Sequence, residues 1–308
     1  MLLLVAVVWG SSYLVAKTAT EALPVLMVLW VRYALSAAAC LALVGARRGG
    51  RRLTRDELRA GGLLGVTQAA VLVLETYGVA HTSAANAGLV ISLTIVLTPL
   101  VDRGPGRGRL PGRFFAATGV CLLAVVLLMS GHGFAAPRSG DLLMLAAAVV
   151  RAGHVALVGR LTAGRAIRPL QLTAIQTVVG TALFTVPAAS HLPALGNLGA
   201  ADWARLGYLA LFCSVFAFLA QTWAVQTTSA SRASLLLGTE PVWAVAAGIC
   251  LGGEHLTAVA LLGAALMVTG TYCGQHIERH HRARGAEVTP ESTEIEGTPC
   301  RSTTPTTA

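Results

Sequence analysis

The sequence predicts an all-α integral membrane protein of ten transmembrane helices, folded as two inverted five-helix repeats. Three observations carry the prediction. Continuous apolar runs have the length of a membrane span, arginines fall in alternate loops, and one stretch of sequence recurs at an offset of 146 residues.

The apolar content comes first. Of 308 residues, 55% are hydrophobic and 12% are charged, against about 25% charged in a soluble domain. One water-facing globule of this length cannot bury that much apolar surface, whereas a helix of about 20 apolar residues crosses a bilayer. Backbone polar groups must pair within hydrocarbon, so the spans are helices or a closed barrel. A barrel strand alternates apolar and polar residues, but the runs Leu122 to Met129 and Leu142 to Val150 are unbroken. Helical spans are expected at 2–20, 24–45, 59–79, 84–101, 113–131, 140–159, 169–187, 205–225, 233–252 and 257–275. The first repeat is then 1–131, the second 132–275, and the Thr-, Pro- and Arg-rich remainder 276–308 a disordered cytoplasmic tail.

Charge placement sets the topology. Loops 45–59, 102–113 and 160–168, Arg232 and the tail together hold 18 Lys and Arg, and the opposite face holds only Lys17, Arg138 and Arg205. By the positive-inside rule both termini are expected to be cytoplasmic, and the expected location is the cell (inner) membrane. The net charge of +9 therefore reports orientation, and no nucleic-acid partner is expected.

The repeat is read from residues. Thr82-Ser83-Ala84-Ala85-Asn86-Ala87-Gly88-Leu89 aligns with Thr228-Ser229-Ala230-Ser231-Arg232-Ala233-Ser234-Leu235, and Glu75-Thr76-Tyr77 with Gln221-Thr222-Trp223. Five spans per copy is an odd number, so the second copy is upside down, an arrangement that recurs in transporters.

These residues resemble the EamA-type drug/metabolite transporter family over nearly the whole chain except the tail. The resemblance rests on Trp9-Gly10-Ser11-Ser12-Tyr13 with Lys17, on Pro24 followed by Arg32, and on Thr82-Ser83-Ala84-Ala85-Asn86-Ala87. It continues in Thr228-Ser229-Ala230-Ser231-Arg232-Ala233, Glu240-Pro241, Gly253-Glu254 and Gly263. The chain departs from the pattern at Arg151-Ala152, where a Trp-Ala pair is usual, and at Pro99, four residues later in repeat register than Pro241. The resemblance implies secondary transport of a small metabolite or amino-acid-like solute, with export favoured, through a cavity between the two halves.

Ionisable groups inside spans are the candidate translocation residues, because each costs about 2.5–3.5 kcal/mol to insert. Glu75 is a candidate proton carrier or amine partner, with a structural ion pair to Arg32 as the competing reading. Arg32 can hold a carboxylate bidentately. Arg151 and His154, three residues apart on one face of span six, form a candidate anion site or proton relay. Glu240 stands before Pro241, which is expected to kink span nine, and Pro99 and Pro241 are candidate hinges. Gln176 and Gln221 are read as ligands or as interhelical bonds. Trp9, Tyr77 and Trp243 are candidate cavity linings, with packing or an interfacial belt as the alternative for Tyr77. Gly61-x-x-x-Gly65 and Gly248-x-x-x-Gly252 are packing notches.

No cofactor and no metal are expected. The six cysteines lack C-x-x-C or zinc spacing, and His276, His280 and His281 are read as a solvated juxtamembrane cluster. The expected partners are a small-molecule substrate, the lipid bilayer and protons, with a homodimer left open. An enzyme is not expected: P-loop, H-E-x-x-H and G-x-S-x-G motifs are absent, and Lys17 is the only lysine. An intramembrane enzyme and a non-transporting scaffold or receptor are the alternatives.

Overall fold

Pro24 separates the first two helices. α1 (Leu2–Ala22) and α2 (Val25–Ala46) flank Leu23, which is extended at φ −135°, ψ 149°, the conformation a following proline imposes. α3 (Arg55–His81) opens on a capping box. Thr54 Oγ1 accepts from the Glu57 amide at 3.1 Å, and the Glu57 carboxylate accepts from the Thr54 amide at 3.0 Å. α4 (Ala84–Ile91) and α5 (Thr94–Val101) are short, and α6 (Gly112–Ser130) and α7 (Ser139–Thr162) follow. Beyond α7, Gly164 takes φ 67°, a left-handed position where glycine carries no Cβ penalty. α8 (Pro169–Ala188) starts on a proline and runs into a 3₁₀ stretch, Ala189–Asn197. α9 (Ala200–Ala210) and α10 (Ala217–Thr227) are joined by a π-turn, Leu211–Phe216. α11 (Ala230–Leu237), a helical segment at 240–243 and α12 (Ala258–Glu287) complete the chain.

The structure is a computed structural model and describes residues 1–46, 53–82, 84–102, 111–130, 139–243, 246 and 258–287, among which there is no strand. Among the described residues, six helical stretches are long and apolar enough to cross a membrane: Leu2–Ala22, Val25–Ala46, Arg55–His81, Ser139–Thr162, Pro169–Asn197 and Ala200–Thr227. The chain is a multi-pass helical membrane protein. Its burial pattern suits lipid, since Leu142 (71%) and Val186 (82%) are exposed while Arg151 and Glu240 are buried, the reverse of a protein facing water.

Three sequence expectations change. The stretches 84–101 and 233–252 are not single helices. Each is interrupted, the first at Ser92-Leu93 and the second at Gly238-Thr239. Both ends of α11 lie 146 residues beyond those of α4. The backbone bonds at the two interruptions match: Ser92 N–H to Gly88 O, Leu93 N–H to Val90 O and Val96 N–H to Leu93 O in one, Gly238 N–H to Ser234 O, Thr239 N–H to Leu236 O and Val242 N–H to Thr239 O in the other. Pro241 therefore stands in the first turn after a break, where its missing N–H leaves no helical bond unmade, and it does not kink a continuous helix. Finally, α12 continues to Glu287, beyond the expected end of the last span at 275. The 131/132 repeat boundary lies outside the described residues, as does Gly248-x-x-x-Gly252.

α2 packs on α8, α3 on α7 and α8, α1 on α9 and α10, α5 on α11, and α6 on α12. The Gly61-x-x-x-Gly65 notch is where α3 meets α8. A Cβ on Gly61 would stand 2.7 Å from Ile175 Cβ, and one on Gly65 would stand 2.8 Å from Val179 Cβ. Small residues allow this approach in a lipid setting, where close packing replaces the hydrophobic effect between helices.

Polar contacts sort the helix ends. At one end Arg168 Nε and Nη2 donate to the two Glu57 oxygens at 2.8 and 2.9 Å, Gln226 Nε2 donates to the Ile167 carbonyl at 3.2 Å, and Arg160 donates to the Val101 carbonyl. At the other end Lys17 Nζ donates to the Thr82 carbonyl at 3.4 Å, and Thr82 Oγ1 donates to Asp141 at 2.5 Å.

Candidate functional site

Helical spacing brings the interior polar groups together. On α1, Trp9, Ser12 and Tyr13 share a face through i+3 and i+4 spacing. On α3, Gln68, Val71, Leu72 and Glu75 do the same. With Arg32 of α2, Arg151 and His154 of α7, and Phe218 and Gln221 of α10, they line one cavity. It holds about 40 Å³, room for about three waters. A smaller cavity of about 10 Å³ lies at the helix breaks, lined by Ser92, Thr94, Gly238, Glu240 and Pro241 among others. Arg151 lines both.

The Arg151 guanidinium is the centre of a charge cluster. Its Nη2 donates to Glu240 Oε1 at 2.6 Å, and its Nη1 donates to Glu75 Oε1 at 3.4 Å. Its Cζ lies 4.5 Å from the centroid of the Trp9 ring, a cation–π contact. Tyr13 O–H donates to Glu240 Oε2 at 3.0 Å. Glu240 is thus held on both oxygens and buried, whereas the Glu75 side chain keeps 17% of its surface and one longer bond. His154 Nδ1 shares a 2.8 Å hydrogen bond with Thr67 Oγ1.

The π-turn explains where Arg32 points. Widening the helix there leaves the Cys213 carbonyl to side-chain donors. It accepts from Trp9 Nε1 at 2.9 Å and Arg32 Nη2 at 3.3 Å, while Arg32 Nε donates to Ser214 Oγ at 2.7 Å. Such turns inside α-helices frequently mark functional positions. The expected Arg32–Glu75 ion pair is not formed. Glu75 pairs with Arg151, and Arg32 has no ion pair among the described residues.

Of the residues singled out from sequence, Trp9, Arg32, Glu75, Arg151, His154 and Gln221 meet at the larger cavity, and Glu240 and Pro241 at the smaller one. Tyr77 stacks on His81 instead, with ring centroids 6.4 Å apart. Gln176 is buried where α8 meets α3 at Gly65, and Trp243 is half-buried outside both cavities. Pro99 is buried within α5. Sequence reasoning missed Tyr13, Gln68 and Phe218 as linings, and Ser214 as the holder of Arg32. Tyr13 was legible, since it follows Trp9 by four residues. No pattern in the sequence announces a π-turn, so Ser214 was not.

Among the described residues no group of three or more His, Cys, Asp or Glu side chains is placed to hold a metal ion.

Comparison with known proteins places the chain in a family. An archaeal protein from Archaeoglobus fulgidus, described as an uncharacterized transporter, is 26% identical over 267 residues, covering 87% of this chain and 82% of that protein. The uncharacterized inner membrane transporter YedA of Escherichia coli K12 is 27% identical over 270 residues, 85% of each chain. A protein of known crystal structure superposes with a TM-score of 0.71 over 91% of this chain and 96% of its own; at 19% identity it speaks for the fold alone. The model of the EamA-like transporter family matches residues 1–130 and again 138–273. Matched twice and almost end to end, the chain belongs to the EamA-like transporter family.

Proposed function

We propose that the chain is a secondary transporter that moves a small solute by exposing the Arg151 cavity to one membrane face and then the other, with Glu75 carrying the coupled proton. The observation that carries this reading is the buried cluster Glu75–Arg151–Glu240, assembled from both halves of the chain between the two cavities that Arg151 lines. Charges in hydrocarbon are expensive, and packing alone does not call for them.

Two units, residues 1–131 and 132–275, face opposite ways across ten spans in this account. Packing supports it. Counting α4 with α5, α9 with α10, and α11 with the 240–243 segment as single spans, the contacts survive exchange of each span with the one five later. The α3–α7 contact maps onto α10–α1, α3–α8 onto α9–α2, and α5–α7 onto α11–α1. The matched breaks at 92–93 and 238–239 provide, in each unit, the discontinuous helix at which transporter sites form. The end that gathers Glu57, Arg160, Arg168 and Gln226 is the cytoplasmic one, by the weight of arginine in its loops.

The test is flux in liposomes holding the purified chain, with an imposed pH gradient. Solute movement without chemical change, driven by the gradient and uncoupled from it in Glu75→Gln, supports the reading. A Glu75→Gln protein whose flux keeps its pH dependence makes Glu75 structural. A chemically altered solute makes the protein an enzyme.

A further inference from the structure

The two sides of the Arg151 ion cluster are unequal, and the inequality points to a substrate class. On the Glu240 side the bond is 2.6 Å and the second carboxylate oxygen is occupied by Tyr13. On the Glu75 side it is 3.4 Å, and Glu75 is the more exposed of the two carboxylates. Across the same cavity Arg32 is buried, is held only by the neutral Ser214 hydroxyl and the Cys213 carbonyl, and has no ion pair among the described residues. The cavity therefore offers one guanidinium with a replaceable counter-ion and a second with none.

From this we infer that the solute is an organic monoanion whose carboxylate or equivalent group takes the place of Glu75 on Arg151, within reach of Arg32, while Glu75 takes up one proton. This rests on the transporter reading above and deepens it.

The charge balance makes the coupling obligatory. The empty cluster holds Arg32 and Arg151 as two positive charges and Glu75 and Glu240 as two negative ones. With the anion bound and Glu75 protonated, the count is again two and two. The anion without its proton leaves one negative charge in excess, and the proton without its anion leaves one positive charge in excess. Both are unfavourable where little water is present to screen them. The charged or titratable groups facing Glu75 are Arg151 and His154 from α7, Arg32 from α2, Tyr13 from α1 and Glu240 from the 240–243 segment. Of these, Glu240 is fixed on both oxygens, which leaves Glu75 as the carboxylate free to exchange. In this conformation the cavity has room for the head group alone, and the body of the solute needs the opened state.

Three probes of one skeleton test the inference: 3-phenylpropionate, phenethylamine and phenylalanine. In weakly buffered detergent solution the full chain should bind 3-phenylpropionate, followed by tryptophan fluorescence, and take up about one proton per anion, followed by an indicator dye. Glu75→Gln should bind the anion with no proton uptake, and Arg32→Gln should lose at least tenfold in affinity, with Arg32→Lys recovering part of it. In liposomes, the 3-phenylpropionate flux in excess of that in protein-free liposomes should follow the pH gradient and ignore a potassium diffusion potential of either sign. Preferred binding of the amine or the zwitterion overturns the inference, as does failure of the carboxylate to bind, or carboxylate flux that follows the potential. Carboxylate binding with proton uptake but no flux of any probe would sink the transporter reading and leave the anion site standing.

Discussion

Replacing Arg151 by methionine separates the ion cluster's structural role from its proposed role in transport. The change keeps an unbranched apolar stem out to the position of Nε and deletes the charged end of the side chain. Glu240 and Glu75 then remain in the interior without their cation. At 2.6 and 3.4 Å and an effective dielectric of about 20, the two attractions amount to about 6 and 5 kcal/mol before desolvation is subtracted. What is lost on removing one member of a buried pair is smaller, about 3–5 kcal/mol, and most of it is the cost of the orphaned charges. The combined variant Arg151→Met, Glu75→Gln, Glu240→Gln removes the orphans too, so its stability should return close to that of the parent. The assay is thermal unfolding of the detergent-purified proteins, run beside liposome flux. Arg151→Met should melt several degrees lower, and the combined variant should melt near the parent yet transport nothing. An Arg151→Met protein that melts with the parent would refute the reasoning, because the carboxylates would then not depend on that guanidinium.

Other consequences follow from single contacts. Tyr13→Phe deletes a hydrogen bond to a charged group, and should destabilise by about 1.5–3 kcal/mol in the same melt. Glu57→Ala strips the Arg168 guanidinium and the capping box at once. It should loosen the α3–α8 end and speed proteolysis there, with a cost of about 1–3 kcal/mol. A Cβ on Gly180 would fall 2.3 Å from the Tyr33 ring, whereas Gly153 has nothing within 4 Å. Gly180→Leu should therefore cost about 1–3 kcal/mol or more, and Gly153→Ala should be neutral or gain up to about 1 kcal/mol, measured as folded yield and melting temperature.

Much of this molecule can be read before any coordinates. Apolar run length alone gives the six clearest spans, because hydrocarbon leaves helices little alternative. The offset between Thr82 and Thr228 anticipates the equal placement of α4 and α11. The clustering of Glu75, Arg151 and Glu240 follows from the cost of burying charge, which requires partners. Which partner is another matter. Rise per residue sets Arg32 and Glu75 at similar depth, but rotation about the helix axis decides what each side chain meets, and the π-turn at Leu211–Phe216 turned Arg32 toward Ser214. The break at Ser92-Leu93 has no proline or glycine to announce it; only its repeat mate contains one, Gly238. Tyr77 and Gln176 qualify as candidates by residue type and place in a span, and neither fixes the face on which a side chain emerges.

Transport as proposed requires that one interior cavity open to each membrane face in turn. Ser12, on α1 at the wall of that cavity, is the position to ask. A Ser12→Cys variant in an otherwise cysteine-free chain, reconstituted in liposomes, is exposed to a membrane-impermeant thiol reagent from the outside or from the inside. Reaction is expected from both faces, with the two rates moving in opposite directions when the pH gradient is reversed. Reaction from one face only, whatever the gradient, would contradict it.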